Sequence, residues 1–206
     1  MSSHKRYRAP ALRWYDYVDH FWVKCPECDQ AASIELPFAF NTQKAIVKCR
    51  SCFWHTDYAT RLRYEPAAGG RCSVCCAKLA KPSVALPKPN KNTFLPCKSC
   101  KAANLVLRWE KTFKKYGNKG ARDPIFGLPL YFTAEISDQT FWIINLKHLE
   151  TLLSYLEASL RQKPLVSHNM SLVEKLPKFI IDARNRDKII SILRKWKEIM
   201  IENNMQ

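Results

Sequence analysis

Eight of the nine cysteines in this 206-residue chain fall into four pairs, each with two residues between its members. The pairs are Cys25 and Cys28, Cys49 and Cys52, Cys72 and Cys75, and Cys97 and Cys100. In a reducing compartment, cysteines with such short, regular spacings are more often metal ligands than disulfide partners. Two turns that each offer two thiolates supply the four ligands of a tetrahedral zinc ion. The pattern therefore predicts two structural Zn²⁺ ions, each bound by four cysteines.

The cysteine pattern repeats along the chain. Cys25 lies 47 residues before Cys72, and Cys49 lies 48 residues before Cys97. This nearly constant period indicates an internal duplication of a four-cysteine zinc ribbon. A cross-braced arrangement, in which the first pair joins the third and the second pair joins the fourth, uses the same residues. The sequence favours tandem ribbons and leaves the cross-braced topology open.

The ninth cysteine, Cys76, directly follows the third pair. The C-x2-C spacing of the other pairs selects Cys72 and Cys75 and makes Cys76 a spare at the turn position. In the other three turns this position is occupied by Asp29, Phe53 and Lys101. Pairing Cys72 with Cys76 would instead make the two loops between pairs equal, so this register stays open. His55, three residues after Cys52, is a further candidate ligand.

We find no sequence pattern for catalysis. A redox role for the C-x2-C pairs is disfavoured because such a motif usually opens a helix in a βαβ unit. The five histidines are scattered and match no metalloprotease, nuclease or deaminase spacing, and the chain has no G-K-[ST] phosphate loop. Four thiolates close the zinc coordination shell. We therefore expect a protein that is not an enzyme.

The positive charge is concentrated in the cysteine-containing half. Residues 1–122 hold 23 Lys and Arg against 8 Asp and Glu, whereas residues 123–206 hold 11 against 10. Two zinc ions with eight thiolates would lower the +15 of the first half to +11. Such a charge is typical of a protein with a polyanionic partner, although a solvated basic loop is the alternative.

Aromatic residues are interleaved with cations around Trp109 and in the amino-terminal arm, a mixture that lets bases stack while cations hold phosphates. The predicted nucleic-acid contacts are Lys98, Lys101, Arg108, Trp109, Lys111, Lys114, Lys115, Lys119 and Arg122, with Lys5, Arg6 and Arg8 in the arm.

The strands and helices that position these residues follow from composition. "ASIELPF" and "AIVK" predict a hairpin in the first ribbon, and "FWHTDYATRLRY" and "NLVLRWEKTF" predict a third strand in each ribbon. "LPLYFTAE" and "TFWIIN" predict a further hairpin around "ISDQ". Asn145 caps a helix that stops before Pro164, and residues 186–202 form a second amphipathic helix.

The chain thus divides into a basic aromatic arm (1–24), zinc ribbon 1 (25–66), zinc ribbon 2 with the basic segment (67–122), and a hairpin plus helices (123–206). The predicted fold class is a small, zinc-stabilised α+β protein.

The carboxy-terminal part resembles a family of small, uncharacterised bacterial zinc-ribbon proteins, loosely described as having a transcription-factor-type zinc ribbon. The similarity covers about the last 80 residues and the cysteine layout, and it implies no established activity. In this family a further cysteine-containing turn is expected before the aromatic strand, whereas "ISDQT" offers no ligand. The matching residues are Asn145, His148, Leu149, Leu152, Leu176, Pro177, Lys178, Ala183, Asn185, Arg186 and Asp187.

Taken together, the sequence predicts a cytoplasmic, bacterial, non-catalytic zinc-ribbon protein that binds DNA or RNA through its basic half. The alternative is a docking module or subunit of a larger nucleic-acid-processing or defence complex. A homodimer or a protein partner bound through the carboxy-terminal helices is a further expectation. No stretch approaches the roughly 20 apolar residues of a membrane span, so we expect no membrane association.

Overall fold

The computed structural model describes residues 6–7, 12–36, 42–67, 70–80, 85–114, 116, 120–158, 160–161 and 172–205. They form a mixed α and β structure with several small sheets. The chain separates into two compact units, residues 1–57 together with 117–206, and residues 58–116. In the described part of the chain, no helix is both long enough and apolar enough to cross a membrane.

Short strands make up most of the regular structure of the first two thirds of the chain. In chain order these are β1 (Arg6–Tyr7), β2 (His20–Lys24), β3 (Ala31–Glu35), β4 (Ile46–Cys49), β5 (His55–Asp57), β6 (Leu62–Pro66), β7 (Phe94–Pro96), β8 (Ala103–Leu105), β9 (Trp109–Phe113), β10 (Thr133–Ile136), β11 (Gln139–Trp142) and β12 (Leu160–Arg161). The helices are α1 (Leu146–Glu157), α2 (Lys178–Ile181) and α3 (Ala183–Glu202), with 3₁₀ turns at Trp14–Tyr17, Thr42–Lys44, Tyr58–Arg61 and Val173–Lys175.

The first unit contains an antiparallel sheet in the order β2-β3-β4-β5. Three consecutive residues are buried in β2 and again in β3, so both faces of the sheet are covered there. Trp22 of β2 lies in the same apolar core as Leu149 of α1 and Leu193 of α3. The first cysteine-containing sheet is therefore packed into the helical core.

The helices of the first unit follow the predicted pattern. The Asn145 side chain accepts a hydrogen bond from the backbone N–H of His148 at 2.9 Å, which caps α1 as expected. The predicted apolar stripes of both helices form the core of this unit. In α1 the leucine spacing predicts a stripe at residues 146, 149, 153, 156 and 160; Leu149 and Leu156 are buried as predicted, and Leu152 is buried whereas Leu153 is half-buried. The buried residues of the α3 stripe are Ile189, Leu193 and Met200.

The hairpin β10–β11 is also formed as predicted, around a two-residue turn. Ser137 and Asp138 have φ values of 47° and 61°, the left-handed conformation that a type I′ hairpin turn requires at both central positions. The twist of this turn matches that of the strands, so the "ISDQT" segment has a structural role in the hairpin.

The structure groups the chain differently from the four predicted segments. The outer edge of β2 bonds to the segment before β10: the Lys24 N–H donates to Pro129 O at 2.8 Å, and the Tyr131 N–H donates to Trp22 O at 2.9 Å. Residues 25–57 of ribbon 1 therefore belong to the same unit as the hairpin and helices, whereas its residues 58–66 belong to the second unit. The boundary between the units at residues 116 and 117 lies six residues before the boundary predicted between residues 122 and 123.

The second unit contains two antiparallel strand pairs, β6–β9 and β7–β8. Tyr64 and Leu86 exchange two backbone hydrogen bonds, of 2.7 and 2.8 Å, on the free edge of β6. The described residues of the proline-rich segment 77–96 contribute two isolated bridges and the three-residue strand β7. Proline lacks the N–H that a longer ladder needs.

Three details of the elements differ from prediction. The segment "FWHTDYATRLRY" is split into β5, a 3₁₀ turn and β6, because β5 pairs with β4 whereas β6 pairs with β9. Helix α1 ends at Glu157, well before Pro164, because Leu160 and Arg161 leave the helix to pair with β1. The helix predicted over residues 186–202 begins three residues earlier, at Ala183, and it forms two ion pairs with α1: Arg194 with Glu157 (2.8 Å) and Lys197 with Glu150 (2.7 Å).

Candidate functional site

The paired cysteines form two clusters of four. Cys25, Cys28, Cys49 and Cys52 form the first cluster, and Cys72, Cys75, Cys97 and Cys100 form the second. In each cluster the four sulfurs lie within 4.8 Å of one another. The first pair shares a cluster with the second, and the third pair shares a cluster with the fourth, as tandem ribbons require. The cross-braced pairing is not formed. Cys76 and His55 belong to neither cluster.

The sulfur spacing fits a metal centre. The Sγ–Sγ distances are 3.6 Å for Cys25–Cys52 and Cys28–Cys49, and 3.5 and 3.6 Å for the corresponding contacts of the second cluster. A tetrahedron of thiolates at about 2.3 Å from a zinc ion has edges of about 3.8 Å. Disulfide-bonded sulfurs would be separated by about 2.05 Å. Each cluster is therefore suited to one tetrahedrally coordinated metal ion.

All four C-x2-C turns share one backbone conformation. In each turn the N–H of the first cysteine donates to the carbonyl five residues further on, at 2.8–2.9 Å. The residue directly after the second cysteine has a positive φ in every case, which reverses the chain direction. These four residues are Asp29 (57°), Phe53 (60°), Cys76 (58°) and Lys101 (64°). Cys76 therefore stands at the turn position predicted for it, with its side chain exposed.

The turn also directs backbone N–H groups at the first thiol of three pairs, namely Cys49, Cys72 and Cys97. The N–H of Val74 lies 3.4 Å from the Cys72 sulfur, and N–H groups of Cys75 and Val74 lower the pKa of Cys72 to about 6. At Cys49, burial raises the pKa, but hydrogen bonds from the Cys52 and Ser51 N–H groups and to the neighbouring thiols lower it, and the pKa is about 7. Hydrogen bonds to the charged form favour a thiolate, which is the state that binds metal.

The second thiols of two pairs are much harder to ionise. The Ala77 N–H lowers the pKa of Cys75, but hydrogen bonds to the Cys100 and Cys97 sulfurs raise it to about 12. Cys28 and Cys75, each with a pKa of about 12, are therefore protonated at neutral pH when no cation is bound. Full ionisation needs a bound cation to offset the repulsion between thiolates, so metal binding releases protons.

Asn104 supports the second cluster and was not predicted from the sequence. Its side chain is buried on β8, and its Nδ2 lies 3.6 Å from the Cys72 sulfur and 2.9 Å from the Ala102 carbonyl. Its Oδ1 accepts from the Ser73 N–H at 2.8 Å. Outer hydrogen bonds of this kind fix ligand orientation. The signal in the sequence is a single amide in the otherwise apolar "AANLVL".

A fifth turn has the same backbone conformation without any cysteine. The Asp123 N–H donates to Leu128 O at 3.0 Å, the Gly127 N–H donates to Asp123 O at 3.2 Å, and Gly127 has a φ of 72°. The Asp123 carboxylate accepts from the N–H groups of Ile125 and Phe126 at 2.8 and 2.6 Å. It thus occupies the place of the first thiolate in the other turns.

This fifth turn closes without a metal ion. Burial raises the pKa of Asp123, and four backbone N–H groups act in the opposite direction. The sequence signal is the match between "DPIFGL" and "CPECDQ", in which proline follows the first residue of the turn in both. Within the described residues, the two four-cysteine groups are the sites suited to a metal ion.

Comparisons of this chain with protein-family models, curated proteins and solved structures found no match. The resemblance of the carboxy-terminal part to bacterial zinc-ribbon proteins therefore stays a prediction.

The predicted nucleic-acid contacts are distributed over both units. Lys98, Lys101, Arg108, Trp109, Lys111 and Lys114 belong to the second unit, whereas Arg122 and Arg6 belong to the first. The backbone of Arg6 lies in β1, and the Arg122 side chain donates to Gly127 O at 2.8 Å. The residues Lys5, Arg8, Lys115 and Lys119 lie outside the described residues.

The register of β6 and β9 separates charge by face. Lys111 lies opposite Tyr64, with Trp109 opposite Pro66 and Phe113 opposite Leu62. Alternation places these six residues on one face of the pair, and Lys111 is exposed among half-buried rings. The two acids of the unit, Glu65 and Glu110, lie opposite each other on the other face. The face that carries Lys111 therefore presents positive charge and aromatic side chains without a carboxylate.

Arg61 lies opposite Lys114 at the end of the β6–β9 pair. Its guanidinium is buried, donates to the Lys114 carbonyl from Nε at 3.1 Å and also from Nη2, and lies 4.6 Å from the Tyr58 ring centroid and 5.4 Å from that of Tyr116. The Lys114 Nζ lies 5.0 Å from the Tyr116 ring. The Tyr116 ring is therefore engaged within the unit, and the exposed side chains of Lys111 and Lys114 are better placed than this ring to contact a ligand.

Proposed function

We propose that this chain is a non-catalytic nucleic-acid-binding protein in which each four-cysteine cluster holds a structural Zn²⁺ ion. Thiolate-only coordination in a tetrahedron is typical of structural zinc. The zinc ion stabilises the fold of the second unit, because β7 and β8 are only three residues long and few of the unit's described residues are buried apolar side chains. We propose that this unit contacts phosphates.

The observation that carries the proposal is the charge of residues 58–116. This unit contains 13 Lys and Arg against two Glu, a net +11 that becomes +9 with a zinc ion and four thiolates. A basic, compact surface of this kind attracts a polyanion and releases condensed counterions on binding. The acid-free face with Lys111, Trp109 and Phe113 supports the same proposal, since exposed cations beside rings suit phosphates and bases.

Charge reversal tests the proposal. The triple variant Lys111→Glu, Lys114→Glu and Lys115→Glu should weaken binding to duplex DNA, single-stranded DNA and RNA by at least about a hundredfold at low salt. For the wild-type chain, about five phosphate contacts predict a slope of log affinity against log salt of about −4.5 on duplex DNA and about −3.5 on single strands. Filter binding over a salt series measures both quantities.

A matched control distinguishes the effect of changing the proposed binding surface from the effect of changing the net charge of the chain. Lys178→Glu, Lys188→Glu and Lys195→Glu change the charge by the same amount on exposed residues of the first unit. This control should retain most of the affinity, and both triple variants should keep two zinc ions. If the wild-type chain binds none of the three nucleic acids at low salt, or if both variants lose affinity equally, the proposed surface is wrong.

A further inference from the structure

An open groove of about 690 Å³ lies in the second unit, next to β8. One wall is formed by the chain around Pro66 and Arg71, and the other by β8 and the residues that follow it, up to Arg108. The groove is mostly apolar between these two arginines. It is separate from the cysteine sulfurs, although Asn104 lies beneath it and contacts Cys72.

Large apolar side chains of this groove are exposed. The exposed fractions are 55% for Phe94, 46% for Leu105 and 82% for Leu107, and all three line the groove. Phe94 and Leu105 are direct cross-strand neighbours. Contiguous apolar exposure of this kind marks an interaction surface more often than isolated exposed residues do.

The groove also borders a free sheet edge. The Cys97 N–H donates to Ala102 O, and the Val106 N–H donates to Thr93 O, both at 2.9 Å. Hydrogen-bonded pairs alternate along an antiparallel ladder, so the main-chain groups of Ala103 and Leu105 point away from β7. Among the described strands, β7 is the one paired with β8. The outer edge of β8 is thus available to a further strand.

We propose that this edge binds an extended, acidic segment of a partner protein, which adds to β8 as a third strand. Main-chain groups of β8 would supply the hydrogen bonds, and Phe94, Leu105 and Leu107 would receive alternate apolar side chains of the segment. Arg71 and Arg108 border the groove, and the unit has a net charge of +11 from 13 cations and two acids. Charge complementarity therefore selects an acidic segment and disfavours a second copy of this chain. This proposal does not rest on nucleic-acid binding.

A designed peptide tests this edge. The probe is a fluorescent peptide of about ten residues that alternates Val with Asp or Glu, and fluorescence anisotropy measures its binding to the full zinc-loaded chain. The matched peptide carries N-methyl groups on alternate residues, at the positions that would donate to β8. It keeps the side chains and the charge but lacks the donors. We expect at least about tenfold weaker binding for the methylated peptide, and weaker binding still for a peptide that alternates Val with Lys.

Variants of the chain locate the site. Leu105→Glu with Leu107→Glu should weaken binding of the acidic peptide by about tenfold or more. Val74→Glu is the control, because Val74 is 71% exposed but does not line the groove, and it should bind normally.

Four results would overturn the proposal: no binding of the acidic peptide, equal binding of the methylated peptide, equal loss in the Val74 control, or loss of oligothymidylate binding in the double variant. The last result would assign the groove to single-stranded nucleic acid. Zinc content and circular dichroism of each variant establish that the unit is folded.

Discussion

The residue that follows each cysteine pair closes the metal-binding turn by adopting a positive φ. For residues with a side chain this conformation costs about 1–2 kcal/mol, whereas glycine adopts it readily. The fifth turn has Gly127 at this position and closes on a carboxylate. In the third pair this position is occupied by Cys76. The turn requires a positive φ there but no thiol.

Replacing Cys76 by glycine should therefore leave the metal site intact. We expect Cys76→Gly to bind two zinc ions and to be as stable as the wild-type chain, or up to about 1 kcal/mol more stable, since the added freedom of the unfolded chain offsets part of the relieved strain. Cys75→Ser, one residue earlier, should lose one zinc ion. Native mass spectrometry and thermal unfolding measure both effects, and zinc loss from the glycine variant but not from the serine variant would assign the ligand role to Cys76.

At the scale of single residues, the sequence predicted the turns well and their surroundings poorly. Regular cysteine spacing identified both four-cysteine groups and placed Cys76 at the turn position, because ligand spacing is a local property. Asn104 was missed because its contact with Cys72 joins residues 32 apart in the chain. Asp123 was missed because a carboxylate in a cysteine's place changes the motif while the backbone conformation is kept.

At the scale of elements, α1 carries a buried histidine that links stability to pH. His148 is 3% exposed, its Nδ1 accepts from the Ile144 N–H at 3.3 Å, and burial lowers its pKa to about 3. The unfolded chain takes up a proton near the ordinary pKa of 6.5, whereas the folded chain stays neutral to a much lower pH. His148 thus supports folding fully above pH 6.5, and its contribution is lost as the pH falls from 6.5 towards 3.

This linkage predicts a measurable difference for His148→Gln, which keeps an acceptor but does not titrate. Between pH 7.5 and 5.5 the wild-type chain should lose about 1.4 kcal/mol more unfolding free energy than the variant. Urea unfolding at the two pH values gives this difference, and any protonation of the thiols is common to both proteins. Identical pH dependence in the two proteins would show that His148 is not held neutral in the folded chain.

The elements also show which structure can be predicted locally. The Asn145 cap, the apolar stripes and the β10–β11 hairpin follow from periodicity and capping, and each was found. The end of α1 at Glu157 depends on pairing between β1 and β12, which lie more than 150 residues apart. The segment after Cys52 was divided between β5 and β6 by two different partner strands. Strand pairing between distant residues leaves no local signal in the sequence.

For the whole molecule, the two ribbons share their cysteine spacing but differ in surroundings. The first cluster lies in a unit whose core joins Trp22 to the helices, whereas the second lies in the small basic unit of residues 58–116. The period of 47 to 48 residues predicted two equivalent modules. It gave no indication that β2 pairs with residues 129–131, because this pairing is specific to one copy. Metal binding should therefore contribute most to the fold of the second unit, which has little apolar core.

The metal content of the purified chain tests the account most directly. Native mass spectrometry of the full chain should show two zinc ions, and Cys28→Ser and Cys100→Ser should each retain one, because each variant removes a ligand from a different cluster. Inductively coupled plasma analysis of the same samples should give the same counts. One zinc ion or none in the wild-type chain, or a metal-free form with disulfides within the pairs, would contradict the account.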